Sequence, residues 1–179
     1  DSLPSRGLGD VYKRQSNGLP LLDTYNQSDI ANDAGINSDE AFTPHTGPLD
    51  PRIDYTIARR GIEYNGYGPF TGKENIRASF SDISGPYAAK KSMYYAGDDT
   101  NKGTGGWGQQ RSGINYHIIR YADVLLMAAE AAVETGSLET ARGYVNQVRQ
   151  RAIDGPRADS SPNYSISTYD SAWTDQAVA

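Results

Sequence analysis

Aromatic side chains in glycine-rich segments are the residues of this sequence with the clearest chemistry to offer a ligand. Trp107 lies among four glycines in the segment 103–108. The flat apolar face and polar edge of a Trp or Tyr ring suit stacking on the C–H face of a sugar. The candidate ligand-binding residues are rings predicted to lie in exposed loops, with one arginine that could contact sugar hydroxyls: Trp107, Tyr94, Tyr95, Tyr67 and Arg111. The alternative for Trp107 is a structural role, as a loop anchor buried against a pair of helices.

Carboxylates in the same part of the chain allow a second hypothesis, a glycoside hydrolase. Such enzymes place two carboxyl groups about 5 to 9.5 Å apart and raise the pKa of one of them. Aspartates are common in solvated loops, so this hypothesis is the alternative and not the expectation. The residues that could supply such a pair are Asp50, Asp54, Glu63, Asp98 and Asp99.

Metal and cofactor chemistry has little support in the sequence. His45 and His117 lie far apart, and no HExxH or similar spacing joins them. The absence of cysteine excludes disulfides, thiolate metal sites and a cysteine nucleophile. Gly-x-Gly spacings occur at 66–68 and within 103–108, but neither follows a buried strand and opens a helix, as a dinucleotide-binding loop requires. We therefore expect no metal and no cofactor.

Composition and length restrict the kinds of partner and of protein that remain. The net charge of -5 argues against nucleic acid as a partner, because phosphate binding needs a clustered basic face. Only 37% of the 179 residues are hydrophobic, and no apolar run approaches the roughly 20 residues that span a bilayer. The chain is long enough for one domain with a core of its own.

One stretch, residues 120–152, organises the predicted fold. Its first half is rich in Ala, Leu and Met, with Asp123 in the first turn, where the helix dipole favours a negative charge. Gly136 then predicts a left-handed stop, and Ser137 a cap for the next helix. The second half repeats apolar residues at three- and four-residue steps, as one buried helical face requires: Leu138, Ala141, Val145, Val148 and Ala152. So short a connection predicts an antiparallel helical hairpin.

The rest of the chain predicts loops and short strands. Ile53, Tyr55 and Ile57 alternate with less apolar residues, which favours a half-buried strand over 53–58. Residues 16–50 are punctuated by Asn, Asp, Ser, Gly and Pro and predict loop. Residues 1–15 resemble translated sequencing-adapter sequence, so we expect them to be a non-native leader and exclude them from the fold prediction.

Three runs in order carry a family resemblance: DPRIDYTIARRGIEYNGYGP at 50–69, GPYAAKKSMYY at 85–95, and NYHIIRYADVLLMAAEAAVETGSLETARGYVNQVRQRA at 115–152. In sequence, order and spacing they resemble the SusD/RagB family of nutrient-binding outer-membrane lipoproteins from Bacteroidetes and their relatives. RYADVLLMAAEA followed by NxVRxRA is the more specific part of this resemblance.

The resemblance implies a mainly α-helical, SusD-like fold, with a tetratricopeptide-like hairpin at about 120–152 beside a loop-rich region with short strands. It implies no catalysis. The protein would be a cell-surface lipoprotein that passes oligosaccharides or other nutrients to a SusC-like TonB-dependent transporter. The family's lipidated cysteine and the helix that follows its WTDQA segment are not in the sequence, so we expect 16–179 to be a partial domain, truncated at both ends.

Four charged residues belong to the family motif and invite a catalytic interpretation: Arg120, Asp123, Glu130 and Arg149. We expect a structural role instead, because an arginine and carboxylates on facing helices commonly pair to orient a hairpin and to cap its ends. A third hypothesis for the whole chain is a helical-repeat scaffold without a small ligand, although one hairpin does not make a solenoid.

Overall fold

The computed structural model describes residues 12–72, 75–76, 86–104 and 110–176. The described residues form three helices and four short strands. In chain order these are α1 (Ile53–Thr56), β1 (Ile57–Ala58), β2 (Ala88–Ala89), β3 (Lys102–Thr104), β4 (Gln110–Ser112), α2 (Tyr121–Glu134) and α3 (Leu138–Asp154). Helices therefore supply most of the regular structure, as expected of a mainly α fold, and long loops connect the remaining elements.

Helices α2 and α3 form the predicted pair, with bounds within two residues of those expected. Gly136 ends α2 with a φ of 74°, the left-handed conformation for which glycine is suited. Asp123 accepts a hydrogen bond from the backbone N–H of Arg120 (2.9 Å), which satisfies a free donor at the start of α2. Ser137 occupies the predicted cap position of α3. The predicted capping interaction is wrong, because within the described contacts the Ser137 side chain makes no capping hydrogen bond.

The predicted strand over 53–58 is wrong for its first four residues, which form α1. Asp50 starts this helical turn: its Oδ1 accepts the backbone N–H of Arg52 (2.9 Å), and its carbonyl accepts that of Ile53 (3.1 Å). Local hydrogen bonds from an aspartate of this kind compete with an extended backbone. Only β1 is extended, and it pairs antiparallel with β2, with Ile57 opposite Ala89.

The hydrophobic core of the described region is small. Its centre consists of three fully buried aliphatic side chains, Ile30, Leu49 and Ile53. Three partly buried side chains pack around them: Tyr12, Ile57 and Tyr164. Its members come from distant parts of the sequence. The core therefore fastens the segment after α3 to α1, to β1 and to the loops that precede α1.

Two fully buried aspartates lie beside this core and are saturated by hydrogen bonds. Asp54 accepts hydrogen bonds from Nε and Nη2 of Arg59 and from the hydroxyl of Tyr164, each 2.7 Å long. Asp50 accepts hydrogen bonds from the guanidinium groups of Arg52 (2.8 and 2.6 Å) and Arg14 (2.5 Å). Buried charges persist only when paired and hydrogen-bonded in this way.

Part of the predicted leader lies among the described residues. Tyr12 packs against the core, Arg14 pairs with Asp50, and Lys13 donates to the carbonyl oxygen of Tyr25 (2.9 Å). These contacts concern position in the fold only, and the non-native origin of residues 1–15 stays a prediction.

We predict that Tyr164→Phe destabilises the chain by about 1.5–3 kcal/mol, the contribution typical of a hydrogen bond to a charged group. The substitution keeps the ring in the core but removes the donor to Asp54. Urea unfolding followed by circular dichroism measures the change.

Tyr116→Phe is the matched control, since the Tyr116 side chain is almost fully exposed. Its effect should stay within about 0.5 kcal/mol, as for most surface substitutions. Equal unfolding midpoints for Tyr164→Phe and the control would show that the Asp54 network does not hold the core together.

Candidate functional site

A tight turn at residues 64–68 presents the first aromatic ring of the candidate site. The N–H of Tyr64 donates to the carbonyl of Gly68 (2.9 Å), and the N–H of Tyr67 donates to that of Tyr64 (2.8 Å). Gly66 and Gly68 have φ values of 82° and 89°, which side chains disfavour and glycine tolerates. The turn therefore depends on glycine at these positions.

Packing beneath the turn fixes the orientation of this ring. Phe70 is buried, and its ring lies 5.4 Å from that of Tyr64 in an edge-on arrangement. Tyr64 in turn lies 5.9 Å from Tyr67, which remains 58% exposed. Offset and edge-on pairs are the favoured aromatic geometries. A buried anchor thus supports a ring that is open to a ligand.

The loop that carries Tyr94 and Tyr95 lies against this turn. The N–H of Ala96 donates to the carbonyl of Asn65 (2.8 Å), and the Asn65 amide donates to the carbonyl of Lys90 (3.4 Å). Asn65 is buried between the two segments. Tyr95, which directly precedes Ala96, is 54% exposed. The contact between the loops therefore holds the backbone next to a second exposed ring against the turn that carries Tyr67.

Lys102, at the start of β3, lies beside the ring of Tyr94 and the carboxylate of Asp99. Its ammonium nitrogen lies 5.7 Å from the centre of the Tyr94 ring and 3.0 Å from Asp99 Oδ1. The hydrogen bond to Asp99 raises the pKa of Lys102, and the negative charge of Asp99 acts in the same direction. Lys102 is not among the residues nominated from the sequence, and its local signal there is the i, i+3 spacing from Asp99.

The structure thus brings together the loops that carry three of the five nominated residues, Tyr67, Tyr94 and Tyr95. Arg111 lies in β4, where its backbone pairs with Gly103 of β3, next to Lys102. Trp107 lies outside the described residues, so both interpretations of its role stay predictions. We refer to Tyr67, Tyr94, Tyr95, Asp99 and Lys102 as the aromatic site.

The carboxylates nominated for a glycosidase differ sharply in their surroundings. Asp50 and Asp54 are fully buried and paired with arginines, so neither can contact a sugar. Burial opposes the ionisation of Asp50, but hydrogen bonds and charge from Arg52 outweigh it and lower its pKa. Hydrogen bonds from Asn101 and Thr100 lower the pKa of Asp98 as well. A glycosidase acid needs the opposite shift.

Glu63 and Asp99 have structural partners. Glu63 Oε1 accepts the backbone N–H of Gly66 (2.7 Å) and so supports the turn that carries Tyr67. Asp99 pairs with Lys102 and is otherwise open to solvent. Of the five carboxylates, Asp99 is the one best placed to meet a ligand on the aromatic site.

The four motif residues on the helices have local or backbone partners. Arg120 and Asp123 pair at the start of α2 (2.7 Å), and Glu130 is exposed. The expected pairing of Arg149 with a carboxylate across the hairpin is wrong for the described residues. Buried Arg149 instead donates to the carbonyl oxygens of Gly18 (2.8 Å) and Ser167, and lies 4.9 Å from the Tyr169 ring. It therefore fastens two loops to α3.

The histidines lie apart from the aromatic site. His45 accepts the backbone N–H of Ala31 through Nδ1 (3.2 Å), and His117 lines a groove of about 460 Å³ between α2 and α3. Among the described residues, no group of three or more His, Cys, Asp or Glu side chains is arranged to hold a metal ion.

One face of α2 is apolar and exposed. Its large side chains, with those of the segment leading into the helix, are Tyr116, Ile118, Ile119, Tyr121, Val124, Leu126 and Met127. In the part of the chain that the structure describes, no helix has both the length and the apolar character needed to cross a membrane.

Comparison with known protein families identifies a relationship. The model of the SusD family matches residues 9–177, nearly the whole chain. No curated protein matches the sequence.

We predict that His45 makes the stability of the chain depend on pH. Burial, with the nearby charges of Arg59 and Lys13, lowers the pKa of His45 from its ordinary value of 6.5. Below that value the unfolded chain binds a proton that the folded chain resists. The stabilisation is therefore complete above about pH 6.5 and is lost as the pH falls towards the folded-state pKa.

His45→Asn should weaken this dependence, because the amide oxygen can accept the Ala31 N–H without titrating. Urea unfolding between about pH 7 and pH 5 measures it. His117→Asn, which removes the exposed imidazole, controls for the loss of a histidine. A slope of stability against pH that is equal in the wild type and in His45→Asn would contradict the prediction.

Proposed function

The chain belongs to the SusD family, and from this premise we propose that it binds an extracellular oligosaccharide or another nutrient. In this proposal it is a lipoprotein at the surface of the outer membrane and passes its ligand to a SusC-like TonB-dependent transporter. The helical hairpin of α2 and α3 would be the tetratricopeptide-like part of the fold, beside the loop-rich part that holds the ligand.

The observation that carries the proposal is the grouping of exposed tyrosines from separate loops. Tyr67 and Tyr95 are more than half exposed, although burial of an aromatic ring is strongly favourable. Hydrogen bonds between the loops hold the two segments together. A preformed surface of this kind loses little conformational entropy on binding, which favours affinity.

The surroundings of the nominated carboxylates favour binding of the ligand without its hydrolysis. Asp50 and Asp54 are inaccessible, Glu63 supports a turn, and Asp98 is held by its own loop. A glycoside hydrolase remains the alternative enzyme, and hydrolysis of a bound glycan would be the observation in its favour. We propose no metal and no cofactor.

The exposed apolar face of α2 favours a second candidate, a helical scaffold that binds another protein. Tyr121, Val124, Leu126 and Met127 are exposed there, and large contiguous apolar surfaces mark interaction sites. The two candidates differ in which surface binds: the aromatic site for a glycan, or α2 for a protein.

We predict that Tyr67→Ala weakens glycan binding roughly tenfold, corresponding to about 1.4 kcal/mol. The substitution removes a stacking surface but leaves the glycine turn unchanged. Affinity electrophoresis through gels that contain starch, xylan or hydroxyethylcellulose measures the retardation, and calorimetry with the strongest ligand gives the dissociation constant.

Tyr116→Ala is the control, because it removes an even more exposed ring that lies outside the aromatic site. Its affinity should match that of the wild type. If glycans retard Tyr67→Ala as strongly as they retard the wild type, the aromatic site is not where the glycan binds. No retardation in any gel would favour the scaffold.

A further inference from the structure

We propose that the Asp99–Lys102 pair makes the aromatic site select neutral over anionic glycans. The inference deepens the proposed function and rests on it. It concerns the charge of the ligand, which neither the family match nor the nominated rings specify.

The pair is part of the aromatic site and is accessible to a ligand. The side chain of Asp99 is 88% exposed and that of Lys102 25% exposed, and their charged atoms lie 3.0 Å apart. Lys102 also lies 5.7 Å from the Tyr94 ring centre, within the range of a cation–π contact. A ligand that reaches the Tyr94 ring would therefore meet a donor and an acceptor side by side.

Such a pair matches the hydrogen-bonding capacity of a neutral sugar. Each hydroxyl is both a donor and an acceptor, so adjacent hydroxyls can donate to the Asp99 carboxylate and accept from the Lys102 ammonium. A carboxylate on the ligand has acceptors only. It could use Lys102 but would face Asp99 with a like charge, unless the existing pair were broken.

The charges around the pair act in the same direction. The segments 63–70 and 94–104 contain three carboxylates, Glu63, Asp98 and Asp99, and one cation, Lys102. Hydrogen bonds from Asn101 and Thr100 lower the pKa of Asp98 and keep it ionised. Arg111 of β4 adds a second cation. Of the two lysines that precede these segments, Lys90 is buried and donates to the carbonyl oxygen of Glu63, and Lys91 acts on Asp123 at the start of α2. Like charge opposite a ligand is an effective way to exclude it.

Matched polysaccharides test the proposal, with affinity electrophoresis of the full chain as the measurement. The pairs differ in charge but share a backbone: hydroxyethylcellulose against carboxymethylcellulose, and methyl-esterified pectin against de-esterified pectin. The wild type should be retarded more by the neutral member of the pair that it binds. Added salt should reduce the difference, since it screens exposed charges.

Asp99→Asn should raise the affinity for the anionic member about threefold, the size typical of an exposed charge interaction, and so narrow the preference. Lys102→Met keeps the side-chain stem over Tyr94 but removes the donor. It should lower the affinity for both polysaccharides of a pair, and more for the anionic one. Asp39→Asn makes the same change of net charge at an exposed position outside both segments, and should leave the preference unchanged.

Circular dichroism and thermal unfolding of each variant establish that it is folded. Retention of a strong neutral preference by Asp99→Asn, or a wild type that binds the anionic member at least as tightly, would overturn the charge selection alone. Failure of the wild type to bind either member of both pairs, or any glycan in the panel, would overturn the proposed function with it.

Discussion

Pairing of the buried aspartates with arginine is the interaction on which the rest of the described structure depends. Asp50 and Asp54 lie fully buried beside a core that has only three fully buried aliphatic residues at its centre. Removing one partner of a buried pair typically costs about 3–5 kcal/mol, because the other charge is left without compensation. The pairs are also directional, unlike hydrophobic contacts. They therefore specify how α1, the following strand and the Tyr164 segment fit together.

The aromatic site is built on this framework. After β1, the N–H of Phe70 donates to the carbonyl of Ile62 (2.9 Å), and the N–H of Gly61 donates to that of Phe70 (2.8 Å). These bonds hold the base of the turn that carries Tyr67. The N–H of Lys90 donates to the carbonyl of Thr56 (3.1 Å), which fixes the start of the second loop. Rigid attachment at the base allows the exposed rings to keep their positions without being buried.

Division of the charged residues between framework and surface favours binding over catalysis. The carboxylates with the strongest partners are the least accessible, and the accessible Asp99 is paired with a lysine beside an aromatic ring. Arg149 likewise directs its donors to backbone carbonyls. What remains at the surface of the two loops is a set of rings with one donor–acceptor pair, an arrangement suited to recognising sugar hydroxyls.

The sequence by itself determined the helical hairpin and the family, because both depend on local order. Helical periodicity, a glycine stop and an N-terminal aspartate act within a few residues of one another, so their pattern is visible in the chain. Only the tertiary structure decided that Asp50 and Asp54 are buried, and that Arg149 donates to backbone carbonyls of loops on either side of the helices rather than to a carboxylate. The partners involved are remote: Tyr164 lies 110 residues from Asp54, and Gly18 lies 131 from Arg149. Contacts over such separations leave no periodic signal, because they arise from how distant segments pack.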